Sequence, residues 1–87
     1  MNQFIIDTIK QAARERKVLR IIYIEKDNTS EGWRHVEPYS FSKDDGEQGL
    51  FAWDKGKDSI RRFSLDRIEQ AELTEDKFIP RYGIKIL

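Results

Sequence analysis

The chain has 87 residues, 38% of them hydrophobic, with 16 lysines and arginines against 16 aspartates and glutamates and no cysteine; this describes one small domain that buries only ~60–65% of the surface of its unfolded form. A core that small leaves little material for a walled catalytic cleft, and without cysteine or a second histidine beside His35 there is no disulfide, thiolate metal site or zinc site to expect. A net charge of zero argues against a polyanion partner, yet the charge is blocked: Lys10 to Arg20 and Lys55 to Arg67 are basic, Glu37 to Glu47 and Glu69 to Lys77 acidic.

Residues 3 to 16 read as an amphipathic helix. Ile5, Ile6, Ile9, Ala12 and Ala13 fall within an arc of ~120°, with Asp7, Lys10, Gln11 and Arg14 outside it. Phe4 lies off the arc, where it either packs under a neighbouring segment or meets another chain. Lys10, Arg14, Arg16 and Lys17 form a solvated face or, as the alternative, a phosphate track. Only two consecutive isoleucines precede Asp7, so no signal-peptide core is present, and nothing approaches the ~18 apolar residues of a membrane span. The expectation is a soluble, cytoplasmic protein.

Val18 to Ile24 is β-branched and nearly continuous, as in a strand covered on both faces. Residues 27–32 are rich in turn formers and predict a loop. Trp33 to Phe41 alternates as a second strand, with Pro38 confined to an edge, bulge or strand end. Tyr39 and Phe41 share a face in that alternation. Residues 43–47 predict a hairpin loop with Gly46 at positive φ, Leu50 to Trp53 the next strand, residues 54–58 a second turn, and Ser59 to Leu65 the strand that pairs back. Leu65 to Arg67 predicts a single 3₁₀ turn. A last strand at Ile68 to Leu73 ends where Thr74-Glu75-Asp76-Lys77 breaks it, and an apolar tail closes the chain. One helix followed by about five short antiparallel strands predicts a mainly β (α+β) domain, a small closed or half-closed barrel with a helix packed on it.

The succession of QAARERK, LRIIY, Arg34-x-Val36-x-Pro38, Leu50-Phe51-Ala52-Trp53-Asp54, Ile60 to Ile68 (IRRFSLDRI) and Phe78-x-Pro80-Arg81-Tyr82 resembles the WYL domain family over nearly the whole chain. Gln48-Gly49-Leu50 stands where the family's Trp-Tyr-Leu tripeptide would lie, keeping only the leucine, and Ser64 stands where many members carry arginine. The resemblance implies a five-stranded antiparallel Sm-like, SH3-type barrel after an N-terminal helix: one domain over 1–87, with helix 3–16, barrel 17–74 and tail 75–87. It further implies a bacterial regulatory module, often joined to a helix-turn-helix, that senses single-stranded DNA or RNA or a nucleotide-like ligand. Eighty-seven residues leave no room for that second domain. A transcriptional output is then expected through a homodimer or a separate DNA-binding partner protein.

Arg61 and Arg67 match the family arginines, and Arg20, Tyr23 and Arg34 lie in the matching strands, so these five form the candidate ligand-binding set. A guanidinium fork suits phosphate and an aromatic ring suits a base. The plainer readings are that Arg67 pairs with Asp66 or a nearby glutamate and that Arg61 likewise locks the second hairpin. If Phe63 and Leu65 face the core, Arg61 points inward near the rim, where it needs an anion, and Arg62 is a solvated charge. Trp53 reads as core or rim packing, Trp33 as packing or stacking, and His35 as a solvated strand residue. No nucleophile, base pair of carboxylates, metal or cofactor is expected, and the function reading is non-enzymatic. The alternative is an interaction module pairing through barrel edges, Phe4 and the Ile84-Ile86-Leu87 segment.

Overall fold

A computed structural model describes residues 2–86. Asn2 starts helix α1 (Gln3–Glu15): its side-chain oxygen accepts from the backbone N–H of Phe4 at 2.9 Å and of Ile5 at 3.4 Å, two donors that a first helical turn otherwise leaves open. Arg16 ends the helix in the left-handed region, φ 54°, returning its N–H to the carbonyls of Ala12 and Ala13. Ile5, Ile9, Ala12 and Ala13 are buried, as the arc predicts. Phe4 is 71% exposed, so it does not pack under a neighbouring segment.

Five strands follow: β1 (Lys17–Tyr23), β2 (Trp33–Asp44), β3 (Glu47–Asp54), β4 (Ser59–Ser64) and, after a 3₁₀ turn at Leu65–Arg67, β5 (Ile68–Lys77). All ladders are antiparallel, in the order β4-β3-β2-β1-β5. The two-residue turn at Asp45-Gly46, both at positive φ, matches the twist of the strands it joins. No β4–β5 ladder closes the sheet among the described residues. At the end of β4, where closure would begin, the Ser64 N–H donates to the Tyr23 hydroxyl at 3.0 Å instead of to a β5 carbonyl. The architecture is therefore an open antiparallel sheet with one helix on one face, and not the closed barrel.

Two elements differ from their expected form. The polar stretch 74–77 does not end β5, which runs on to Lys77. A register shift between Lys17 and Leu19 takes up the extra residues, and the Thr74 hydroxyl donates to the Val18 carbonyl at 2.7 Å across it. Tyr39 and Phe41 do not share a face, because the β2–β3 register shifts between Pro38 and Ser40. Phe41 joins the main core beneath α1, with Leu19, Ile21, Val36, Leu50 and Phe63. Tyr39 joins a second cluster with Val18 and Phe78 on the other side of the sheet. β1 is consequently uneven: Val18, Leu19, Ile21 and Tyr23 are buried, while Arg20 and Ile22 are half-buried.

The tail completes that second cluster. Phe78 N–H donates to the Arg16 carbonyl at 2.9 Å and Lys85 N–H to the Tyr39 carbonyl, exposed by the bulge, at 2.8 Å. Glu37, only 2% exposed, accepts from the Tyr39 hydroxyl at 2.8 Å and from Arg81 Nε at 3.1 Å. Tyr39 in turn accepts the Arg81 N–H at 2.9 Å, and the Arg81 guanidinium lies 4.3 Å from the Trp53 ring centre. The buried carboxylate thus has both a hydroxyl and a cation. Ile86 is buried and Ile84 half-buried, so neither forms a free pairing edge, and Leu87 lies outside the described residues.

Burial, with the adjacent Glu37 carboxylate, pushes the Tyr39 hydroxyl up to about 12. The folded state holds this proton after the unfolded chain, at about 10, has lost it. The stabilisation is complete below the lower value and is lost as pH rises through the higher one. Urea unfolding at pH values from about 9 to 12 is expected to show wild type losing ~2 kcal/mol more across that window than Tyr39→Phe, which carries no such proton.

Candidate functional site

Four of the five candidate residues gather where β1 leaves the sheet. Tyr23 is 8% exposed, its ring edge-on to Phe63 at 5.0 Å and its hydroxyl held by Ser64 N–H. It forms a wall and offers no free face for a base. Arg67 does not pair with Asp66; its Nη1 donates to the carbonyls of Ile24 at 3.3 Å and Glu25 at 2.8 Å, fastening the start of the loop that follows β1. Backbone carbonyls left bare by an irregular loop are the natural partners for a guanidinium fork.

Arg34 is 5% exposed and fully engaged. Nε and Nη2 both donate to Asp54 Oδ2, at 3.0 and 2.8 Å, and Nη1 donates to Glu25 Oε2 at 2.7 Å. The other Asp54 oxygen accepts from the N–H groups of Gly56 and Lys57, shaping the β3–β4 turn. Burial acts to lower the Arg34 pKa, but the hydrogen bonds to Asp54 and Glu25 outweigh it and hold the guanidinium above its ordinary value. Glu31, 3.8 Å from Arg34, is bonded by Lys57 at 2.8 Å, and this bond keeps its carboxyl below the usual range.

Arg61 is the exception. It makes no hydrogen bond or ion pair with any described residue; its guanidinium carbon lies 5.9 Å from the Phe63 ring centre. It opens into a shallow concavity of about 510 Å³ lined also by Tyr23, Glu25, Lys26, Asp27 and Arg62. The hairpin lock, the plainer of the two readings of Arg61, has no hydrogen bond or ion pair among the described residues to carry it. Arg62, by contrast, is not simply solvated: Nε donates to Ser42 Oγ at 2.9 Å and Nη2 to the Glu47 carbonyl at 2.8 Å. Its guanidinium covers Gly49, where a Cβ would sit 2.5 Å from Arg62 Cζ. A side chain at position 49 would require the Arg62 guanidinium to shift, disturbing its bonds to Ser42 and Glu47.

Arg20 stands apart on the outer face, paired with Glu72 across the β1–β5 ladder and lying 4.3 Å over the Trp33 ring. Trp33 is thereby occupied from within the chain. At the end of α1, Lys17 pairs with Glu15 at 3.5 Å and Arg16 Nη1 donates to the carbonyls of Ala13 and Arg14, so the basic segment serves the helix end. Among the described residues no group of three or more acidic or histidine side chains could hold a metal, and no helix is long and apolar enough to cross a membrane. The sequence reading missed Glu25 and Asp54 as partners of Arg34. Their separations of 9 and 20 residues carry no local periodic signal.

Removing one side of the buried pair leaves the other charge stranded. Asp54→Ala is expected to cost ~3–5 kcal/mol in urea unfolding, whereas Arg20→Ala, at an exposed pair, costs ~1 kcal/mol or less.

A WYL domain profile matches residues 5–73. Proteasome accessory factor B/C (PafBC) of Arthrobacter aurescens is similar in structure, with a TM-score of 0.76 and 24% sequence identity over 93% of this chain and 14% of that one. The chain thus spans a small fraction of that protein, and the likeness is one of fold. No curated protein matches the chain.

Proposed function

The chain belongs to the WYL domain family, and on that premise we propose that it is a non-enzymatic, ligand-sensing regulatory module that binds a short single-stranded nucleic acid or a nucleotide-like anion in the concavity around Arg61. The observation that carries the reading is the state of Arg61: a half-buried residue with no hydrogen bond or ion pair to a described residue, whose charge acts on Glu31 only at longer range, on a concave surface. An unpaired cation there gains most from an anion brought by a ligand. Lys26 and Arg62 flank it, while Tyr23, Arg34 and Arg67 build and fasten the wall; Arg20 takes no part. In the same reading the open sheet curled over α1 is the family's Sm-like, SH3-type barrel, and the bacterial, cytoplasmic module acts in transcription regulation through a DNA-binding partner or a second copy.

The lining sets the scale of the ligand. Lys26, Arg61 and Arg62 face Glu25 and Asp27, a small positive excess that suits one or two phosphates and disfavours a long polyanion. Fluorescence anisotropy with short single-stranded oligonucleotides is expected to show binding at about 50 mM salt that weakens about 3–7-fold at about 200 mM, the range for one to two phosphate contacts, and that is lost in Arg61→Ala. Absence of binding at the lower salt rules out the nucleic-acid form of the reading.

A second reading, an interaction module without nucleic-acid binding, draws on Phe51 and Ile60, 38% and 42% exposed beside the unpaired edge of β4. Light scattering separates the two: a stable dimer that survives Arg61→Ala and binds no oligonucleotide supports the second.

A further inference from the structure

The site already contains an anion of its own. Glu25 lines the Arg61 concavity and at the same time closes off Arg34, whose side chain is 4% exposed and whose Nη1 it holds at 2.7 Å. Of the three nitrogens of that guanidinium, two are committed to Asp54, itself 2% exposed and further tied down by two backbone N–H groups. The third, Nη1, donates to a carboxylate of a different kind, with the Glu31 carboxylate, itself bonded by Lys57, at a longer 3.8 Å. Glu25 sits at the start of a loop, its side chain is 28% exposed, and its other oxygen has no bond to a described residue.

The loop backbone does not depend on that carboxylate. Arg67 Nη1 holds the carbonyls of Ile24 and Glu25, Ile24 N–H donates to the Arg67 carbonyl at 2.9 Å, and Glu25 N–H donates to the Thr29 carbonyl at 2.8 Å. Arg34 does not itself line the concavity, but its guanidinium and that of Arg61 both lie near the Phe63 ring, 5.1 and 5.9 Å from its centre. Rotation of the Glu25 side chain would therefore free the Arg34 Nη1 donor next to the concavity without unfolding the loop, with the Glu31 carboxylate 3.8 Å away. Arg34 would keep Asp54 as its counter-charge, so the opened state leaves no stranded buried cation.

From this arrangement we infer that Glu25 is a built-in competitor: its carboxylate occupies Arg34 in the empty site, and a ligand phosphate held by Arg61 displaces it and takes the Arg34 Nη1 donor. The inference rests on the ligand-binding reading above and adds to it the regulation of the same site. It satisfies Arg34 in the empty state while leaving Arg61 open, raises the threshold for weak anions, and reserves full engagement for a phosphate that reaches both guanidinium groups. The exchange is carboxylate for phosphate on one N–H donor; no bond is made or broken covalently.

The test uses the 87-residue chain, a fluorescein-labelled octathymidylate and about 50 mM salt. Glu25→Gln, which removes the charge and keeps the shape, is expected to bind about 5-fold more tightly than wild type, while Arg61→Ala binds at least about 10-fold more weakly. If Arg61→Ala binds as wild type does, the ligand-binding reading fails. If Arg61→Ala loses binding but Glu25→Gln binds no more tightly, the competitor role alone is overturned; silence of all three proteins overturns both. Amide exchange gives a ligand-free check: protection at Ile24 and Asn28 is expected to be the same in Glu25→Gln as in wild type, because Arg67 holds that backbone. General loss of protection there identifies Glu25 as a structural clamp and overturns the inference.

Discussion

The Arg34–Asp54 pair is the interaction on which the other parts of the molecule depend. Both side chains are almost completely buried, and two ions in that setting are tolerable only when their remaining donors and acceptors are also met. The requirement is met by elements distant in sequence. Asp54 uses its second oxygen to organise the β3–β4 turn, which sets where β4 begins pairing at Ser59. Arg34 uses its third nitrogen to bond the Glu25 side chain, at the start of a loop whose backbone Arg67 holds. The ion pair thus fixes the β3–β4 turn and places the Glu25 carboxylate, which in turn lines the concavity that holds Arg61.

A second constraint comes from the open edges. The sheet cannot close by a ladder between β4 and β5, because the backbone donor at Ser64 is taken by the Tyr23 hydroxyl and the chain crosses by a 3₁₀ turn. The outer face is instead covered by the tail, which is held without regular structure by a bulge carbonyl, a buried carboxylate and two aromatic faces. Both solutions use the same principle: where a regular ladder stops, a side chain with a fixed donor or acceptor takes its place.

Much of this was legible in the residues. The apolar arc of the helix, the Asp45-Gly46 turn, the 3₁₀ turn at Leu65 and the strand spacing each rest on interactions within a few positions, and each appears in the structure. What was not legible depended on register. The shift between Pro38 and Ser40 sends Tyr39 and Phe41 to opposite faces, and no periodic pattern within β2 alone announces it, because a bulge is decided by the partner strand. β5 outlasts its expected end for the same reason: Thr74 finds the Val18 carbonyl only once a register shift has brought it there.

The candidate site was legible as a set of residue types and not as a set of roles. The sequence placed five residues in one candidate set, and burial and partners divide them. Tyr23 and Arg67 are structural supports, Arg20 belongs to another face, Arg34 is saturated, and Arg61 alone has no partner among the described residues. The division follows from counting anions. Within reach of Arg34 the fold supplies three carboxylates, from Glu25, Glu31 and Asp54, and near Arg61 it supplies no bonded one. A neutral chain can thus hold an anion site without any excess of positive charge, because what matters for binding is where an arginine is left unpaired, and the remaining acidic residues are spent elsewhere on holding the frame.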